Sequence, residues 1–338
     1  MDKKILLSYG SGGRLMNSLI KDVFLKHFKS NTLKRLDDSA VLNNISEKYD
    51  LSFTTDSYTV NPLFFPGGNI GKLSICGTVN DISVMGAEPL FISCGIIVEE
   101  GFEIEELNRI IESMSKTSTQ AGVEIVTGDF KVVEKGKIDK LFINTSGIGI
   151  SKKNICFERN KLECGDKIII NGSIGEHELS VLLARKEFDV ESNIKSDCAP
   201  LNALVQVVTE KHINDIKFMR DPTRGGVATT LNEISDNMSY GILLYEKEIP
   251  VKKQVMALCE ILGFDPLYLA NEGKVLIICK EKASLSILSL MKKEKYGKDS
   301  KIIGEVTEEP KGKVAIKTIS GGSRMLPMLS GGQLPRIC

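Results

Sequence analysis

Acidic residues stand at the apparent ends of strands and helices through the first half of this sequence: Asp37-Asp38, Asp56, Asn80-Asp81 and Asp129. Carboxylates beside glycines and short polar side chains suit a Mg2+–phosphate site, because Mg2+ takes hard oxygen ligands and shares its shell with substrate phosphates. Aspartate also closes strands and caps helices, so only the set, and no single member, points to chemistry. Gly10-Ser11-Gly12-Gly13-Arg14 runs into a helical pattern, where backbone N–H groups and Arg14 can cradle an anion. The motif matches neither the Walker phosphate loop nor the dinucleotide glycine fingerprint, and a plain N-terminal turn reads equally well. Gly128-Asp129-Phe130-Lys131 sets a carboxylate and an ammonium two positions apart on one face of an extended segment, which suits metal and phosphate or equally a plain surface ion pair. In the second half, Asp221-Pro222-Thr223-Arg224-Gly225-Gly226 precedes a helix and Asn271-Glu272-Gly273 precedes a strand. Each is an anion site or a carboxylate aimed into a cleft, or simply a well-made cap and turn. His177 follows a glycine turn and reads as a capping or surface residue rather than a catalyst.

The run from Gly331 to Cys338 is the most unusual stretch. Its glycines supply a hinge, Pro335 stiffens the approach, and about eight residues reach at most roughly 26–29 Å when extended. A thiol at such a tip is a natural carrier for a reactive group, with a chance cysteine at a loose end as the alternative.

These residues need a frame. Apolar residues at Leu15, Met16, Leu19, Ile20, Val23, Phe24 and Phe28 keep helical spacing, as do Leu73, Cys76, Val79, Ile82 and Met85. Leu51–Asp56, Leu90–Val98, Val123–Val126 and Leu141–Ile150 read as strands, and Glu103–Gln120 as a helix with acids in its first turn and Gly122 beyond its end. The polar, irregular stretch Ser151–Asp166 marks a domain boundary. Beyond it, strands at Lys167–Ile170, Ile216–Phe218, Ile242–Tyr245 and Val275–Cys279 alternate with helices, which argues for α/β layering. The predicted organisation is an N-terminal domain over 1–152, a C-terminal α/β domain over 153–320, and a flexible tail over 321–338.

Composition narrows the function classes. The 338 residues are 42% hydrophobic and 26% charged, with Lys plus Arg equal to Asp plus Glu at 44 each. No global field draws such a chain to nucleic acid or membrane. No run approaches the roughly 20 apolar residues of a spanning helix, so the cytoplasm is the expected location. The eight cysteines show no CxxC pair, Cys156 and Cys164 being eight positions apart, and Cys76, Cys94 and Cys279 read as small buried hydrophobes.

At this point the motifs resemble a known family end to end. GSGGRL at 10–15, DDSAVL at 37–42, FTTDSY at 53–58, the long run from Pro62 to Pro89, VTGDFKVV at 126–133, SDCAPLN at 196–202, RDPTRGGVATTLNEI at 220–234, YLANEGK at 268–274 and LPRIC at 334–338 are similar to the HypE carbamoyl dehydratases. These lie within the aminoimidazole ribonucleotide synthetase-like (PurM-like) superfamily. The resemblance implies a two-domain α/β (α+β) fold: a β-rich dimerisation and ATP domain with flanking helices, an α/β sandwich, and a tail. It implies ATP and Mg2+ as cofactors, a homodimer with ATP near the interface of its N-terminal domains, a carbamoyltransferase partner (HypF), and an iron-scaffold complex of HypC with HypD. In that chemistry a carboxamide loaded on Cys338 is dehydrated to a thiocyanate, the cyanide source for the iron of [NiFe]-hydrogenase.

By the same resemblance Asp38, Asp56, Asp81 and Asp129 form the metal site, and Gly12, Gly13, Arg14, Asp38, Asn80, Asp129 and Arg224 bind ATP phosphates. Glu272 is the base, Lys131 steadies the developing oxyanion, Cys338 carries the cargo, and Asp221 helps position phosphates or tail. Two departures stand out: Ser11 replaces a common glycine, and Glu178 follows His177 where a small residue is expected. Two other readings remain open. A sister synthetase or kinase acting on a small molecule needs no Cys338, and a non-catalytic assembly scaffold needs no Glu272.

Overall fold

The computed structural model describes residues 13–27, 31–42, 45–153, 155, 157–186, 188 and 192–329. Its first layer is a five-stranded sheet in the order β1-β2-β7-β5-β6. The chain enters through α1 (Gly13–Leu19), a π-helical turn and the short α2 (Leu25–His27), then lays down β1 (Ala40–Leu42) and β2 (Tyr49–Tyr58). A small hairpin, β3 (Phe64–Phe65) with β4 (Gly68–Asn69), leads into α3 (Ile70–Val84). Asn69 caps that helix by accepting from the Lys72 amide at 3.0 Å. Leu73, Ile75, Cys76, Val79 and Ile82 are fully buried along it, so α3 is a core helix rather than a surface one.

β5 (Glu88–Glu99), α4 (Ile104–Ala121) and β6 (Glu124–Val133) form a parallel crossover, and β7 (Leu141–Lys152) pairs antiparallel with both β2 and β5. Gly122 ends α4 at φ +69°, the left-handed cap its position foretold. The helices α3 and α4 cover one face of this sheet. On the other face Phe53, Phe91, Ile97 and Ile148 stand exposed.

The second layer system is a seven-stranded mixed sheet in the order β14-β13-β10-β12-β8-β11-β9. Its strands are β8 (Lys167–Ile170), β9 (Ile216–Arg220), β10 (Gly241–Tyr245), β11 (Leu276–Cys279), β12 (Lys301–Thr307), β13 (Val314–Lys317) and β14 (Ser323–Met325). Ile168–Ile170 and all of β11 are buried on both faces, as central strands under two helix layers must be. One face packs against α7 (Gly226–Ser235) through Val227, Ala228 and Leu231. The other packs against α6 (Asn202–His212) and α9 (Glu281–Met291) through Leu204, Val208 and Ile287. The helices α5 (Glu176–Ala184) and α8 (Lys253–Leu262) meet in a separate cluster around Leu179, Leu182, Val255 and Leu258.

One expectation gives way here. Residues 321–329, expected to belong to a flexible tail, are built into the second domain. β14 pairs with β13, Leu326 is buried, its carbonyl accepts from Asn232 at 2.8 Å, and the Tyr268 hydroxyl donates to the Pro327 carbonyl at 2.7 Å. No described helix is long and apolar enough to cross a membrane.

Candidate active site

The site grows from the inner end of β2, where strand alternation turns Thr54, Asp56 and Tyr58 toward α3. The Tyr58 hydroxyl donates to Asp56 Oδ2 at 3.0 Å. Thr54 Oγ1 lies 2.9 Å from Asp81 Oδ2, near the end of α3, and 3.1 Å from the carbonyl oxygen of Asp38. The second domain meets this group with the end of β9: Arg220 Nε sits 3.1 Å from Asp38 Oδ1, and its other arm reaches Glu233 at 3.3 Å. Asp221 follows, buried, so four aspartates from two domains converge.

Crowding like charges away from water makes them hold protons. Burial, then the charges of Asp56, Asp221 and Asp38, raise Asp81 well above the usual carboxylate range. Burial, and next the charge of Asp38, push Asp221 up to about 8. Asp38 rises to about 6 through burial, even with Arg220 beside it. Several buried carboxylates gathered in one place are chemically suited to Mg2+ and the phosphates it accompanies.

Glu272 stands in the turn 270–274, which is nailed down on every side. Asn271 is fully buried; its Oδ1 accepts from the Gly175 amide at 2.8 Å and its Nδ2 donates to the Pro222 carbonyl at 3.1 Å. Burial, then the neighbouring Cys198, Asp221, Asp197 and Asp56, raise the Glu272 carboxyl well above its ordinary value. High proton affinity is what an acceptor for an amide proton needs. Pro327 is tied to Tyr268 in the same region, and from Leu329 to Cys338 is about nine residues, or roughly 30–32 Å if extended.

The predicted residues fall into two groups. Asp38, Asp56, Asp81 and Glu272, with Asp221, come together. Asp129 and Lys131 do not join them in the same chain. They pair with each other at 3.3 Å, share a face as their spacing implied, and are each 68% exposed on β6. Two strands, β7 and β5, separate them from β2. Register aligns Asp129 with Gly95 and Lys131 with Ile97, on the sheet face opposite to Asp56. The four-aspartate metal set is therefore not assembled within one chain. Among the described residues no group of three or more His, Cys, Asp or Glu side chains encloses a metal by itself.

Asn80 is also diverted. Its Nδ2 donates to the Ala199 carbonyl at 3.1 Å and its Oδ1 accepts from the Leu201 amide at 2.8 Å, so the amide ties the domains together. Arg224 and Arg14 are exposed, and Arg220 makes the contact to the aspartates instead. Gly13 lies at φ +74° with the Leu329 carbonyl so close that a Cβ would come within 2.5 Å of it. Gly12 and Cys338 lie outside the described residues, as does Cys156. The sequence reading passed over Arg220, Asp197 and Lys274, although each sits inside a motif it had singled out.

His177 is neither cap nor surface: it is fully buried, Nδ1 lies 2.8 Å from Ser196 Oγ, and burial pulls its pKa down to about 4, leaving the ring neutral. Glu178 accepts from the Ala270 amide at 2.5 Å, and burial pushes it up to about 7. A carboxyl whose native pKa is raised binds its proton more tightly folded than unfolded. Its contribution is full at low pH and is lost as pH rises from about 4.5 through about 7. Glu178→Gln is expected to match the native chain in thermal stability near pH 4 and to exceed it near pH 8, by roughly 3 kcal/mol at most. Melting curves at the two pH values check this, and an unchanging difference contradicts it.

Comparison with known proteins decides the family. Residues 36–151 match the N-terminal domain of AIR synthase related proteins and residues 163–317 match their C-terminal domain. The carbamoyl dehydratase HypE of Bradyrhizobium diazoefficiens is 44% identical over 98% of this chain and 95% of its own length. That of Escherichia coli is 43% identical over 99% of each.

This chain belongs to the HypE family of carbamoyl dehydratases.

A solved HypE–HypF complex contains a chain 45% identical to this one, with TM-score 0.86 over 92% of this chain and 100% of that chain. A HypE solved with ATP is 44% identical, with TM-score 0.82 over 99% of this chain and 100% of that one. The thiamine monophosphate kinase of Aquifex aeolicus, at 17% identity and TM-score 0.66, shares the fold alone. The family thus has the two-domain PurM-like architecture that the two sheets display.

Proposed function

We infer that this chain carries a carboxamide on Cys338 and dehydrates it with ATP to a thiocyanate, the cyanide source in [NiFe]-hydrogenase maturation. The observation that carries the reading is the convergence of Asp38, Asp56, Asp81 and Asp221 beside the Glu272 turn, in a member of a carbamoyl dehydratase family.

An amide oxygen leaves poorly until it is phosphorylated. In the proposed sequence the carboxamide oxygen attacks the ATP γ-phosphorus, ADP departs, and the oxygen then leaves carbon as phosphate while nitrogen gives up its protons and becomes the nitrile. The elements of water thus end up in phosphate and a released proton. Bound Mg2+ would draw charge from the phosphates and take part of its shell from the aspartates. Asp38 and Asp81 are held for that role by Arg220 and Thr54 respectively, and Asp56 by Tyr58. Glu272 takes the N–H proton, and positive charge held nearby by the aspartates would favour its ionised form beforehand.

Asp129 and Lys131 enter from a second copy. The uncovered sheet face presents Phe53, Phe91, Ile97 and Ile148, all exposed, and Phe130 and Val132 stand exposed on the other side of the edge strand β6. Exposed apolar side chains on a bare sheet face beside an unpaired edge strand are what a homodimer covers. In the proposed dimer each copy lends Asp129 and Lys131 to the phosphates of its neighbour, where the ammonium steadies the oxyanion. HypF is the proposed loading partner, a HypC–HypD complex the recipient, and the cytoplasm the place where ATP and reduced thiols meet.

Cys338→Ala is expected to bind nucleotide as the native chain does, yet to accept no carboxamide and form no nitrile. Nucleotide titration and mass spectrometry of the loaded protein check both halves. ATP-dependent product formation at the native rate without Cys338 contradicts the carrier role and favours a small-molecule synthetase or kinase.

A further inference from the structure

The Glu272 turn is gripped by one short segment of the second domain, residues 196–199. The Glu272 amide donates to Asp197 Oδ1 at 3.2 Å, and the Glu272 carbonyl accepts from the Ala199 amide at 3.3 Å. Next in the chain, Gly273 passes so close to the Asp197 carbonyl that a Cβ would lie 2.0 Å from it, so no other residue fits without displacing that segment. Lys274 then returns its ammonium to the other Asp197 oxygen at 2.7 Å. Both side chains of this pair are sheltered, Lys274 at 8% and Asp197 at 3% exposure.

A buried ion pair is a poor way to stabilise a fold, because desolvating two charges offsets most of their attraction. Its virtue is direction: one carboxylate oxygen is fixed by the ammonium, which leaves the other aimed at a single amide. Burial works to raise Asp197, but the Lys274 ammonium, with smaller help from His177 and the two hydrogen bonds, more than offsets it and keeps the carboxylate ionised. The segment is seated in turn. Ser196 Oγ lies 2.8 Å from His177 Nδ1 and accepts from the Cys198 amide at 3.0 Å, and the Ser196 amide donates to the Pro66 carbonyl at 2.7 Å. Asn171 closes the far side, its Nδ2 donating to the Gly273 carbonyl at 3.1 Å and its Oδ1 accepting from the Val275 amide at 2.8 Å.

We propose that Asp197, charge-balanced by Lys274, is a positioning residue that holds the Glu272 carboxylate at the carboxamide during dehydration. The proposal rests on the reading of Glu272 as the base. The pair is assigned to act through the main chain of Glu272, whose amide Asp197 accepts from, and not on nucleotide or cargo directly. Losing the pair lets the turn drift, and a displacement of about 1 Å at a reacting group costs on the order of a hundredfold in rate.

Removing Asp197 alone would leave an uncompensated ammonium in the interior, so the test uses Asp197→Ala combined with Lys274→Met, which removes both charges together. Full-length chain is loaded by HypF with carbamoyl phosphate, and single-turnover loss of water on adding ATP is followed by intact mass. The double variant is expected to fold, to load, and to bind a non-hydrolysable ATP analogue within about twofold of the native chain, while water loss slows about a hundredfold. Lys274→Arg, which keeps a cation opposite Asp197, is expected to recover most of the rate. Native-rate dehydration by the double variant overturns the proposal, as does an equal loss of nucleotide binding, which would mark general damage. Glu272→Gln run in parallel separates the two ideas: if it dehydrates normally, the reading of Glu272 fails; if it does not and the double variant does, only the positioning role fails.

Discussion

Glu272→Gln is expected to accumulate the carboxamide on Cys338 in the presence of ATP, with dehydration slowed by about 10²–10⁴-fold. The substitution keeps the size of the side chain and leaves untouched the main-chain hydrogen bonds to Asp197 and Ala199 that hold the turn. It removes only the proton acceptor. Nucleotide binding should survive, because the nearby acids that converge for metal and phosphate are Asp38, Asp56, Asp81 and Asp221. Time-resolved mass spectra of loaded protein read the outcome. Conversion at the native rate removes Glu272 from its role, and failure to load at all points to the HypF contact instead.

Mixing two inactive variants is expected to restore activity. Lys131 and Glu272 do not meet within one chain: Lys131 is on the exposed edge strand β6, on the face of the sheet away from Asp56. If each site draws Lys131 from the neighbouring copy, a dimer of one Lys131→Ala chain and one Glu272→Gln chain has one intact site and one doubly damaged site. Random reassociation places about half the chains in such dimers, so about a quarter of native activity should return from two preparations that each lack it. Sites built within single chains give no recovery, since every site then carries one defect. Sedimentation tests the dimer itself: the native chain should run as two copies, held by the face bearing Phe53, Phe91, Ile97 and Ile148.

The elements most legible in the sequence were those whose local pattern and tertiary place agree. The run Lys167–Ile170 is β-branched and central, and it is a strand with the bounds its pattern implied. Gly122 stopped α4 where a left-handed cap was required. β6 was less legible because Gly128-Asp129 looked like a strand end. The glycine is there for contact: a Cβ would come 2.5 Å from the Cys94 carbonyl, and the strand runs on to Val133. That continuation moves Asp129 from a strand terminus to mid-strand on the uncovered face. β12 to β14 were less legible because Gly304 interrupts β12 and β13 and β14 are only four and three residues long, and pairing within the larger sheet supplies what local propensity lacks.

The candidate site shows the same division. Acids at strand and helix ends were visible as chemistry, and five of the carboxylates singled out, Asp38, Asp56, Asp81, Asp221 and Glu272, do converge on one another. Arg220 and the Asp197–Lys274 pair were not visible, because their meaning lies in contacts between segments about 180 and 77 residues apart in the chain. Asn80 reads as a ligand beside Asp81 and proves to be a tie between domains, since adjacent positions on a helix face different ways.

The most direct test of the central claim is the mass of the peptide that ends at Cys338. After treatment with HypF and carbamoyl phosphate it should gain one carboxamide, and on adding ATP and Mg2+ it should lose one water while ADP and phosphate appear in equal amount. A loaded peptide that keeps its carboxamide through ATP hydrolysis, or nitrile formation with no modification at Cys338, would contradict the account.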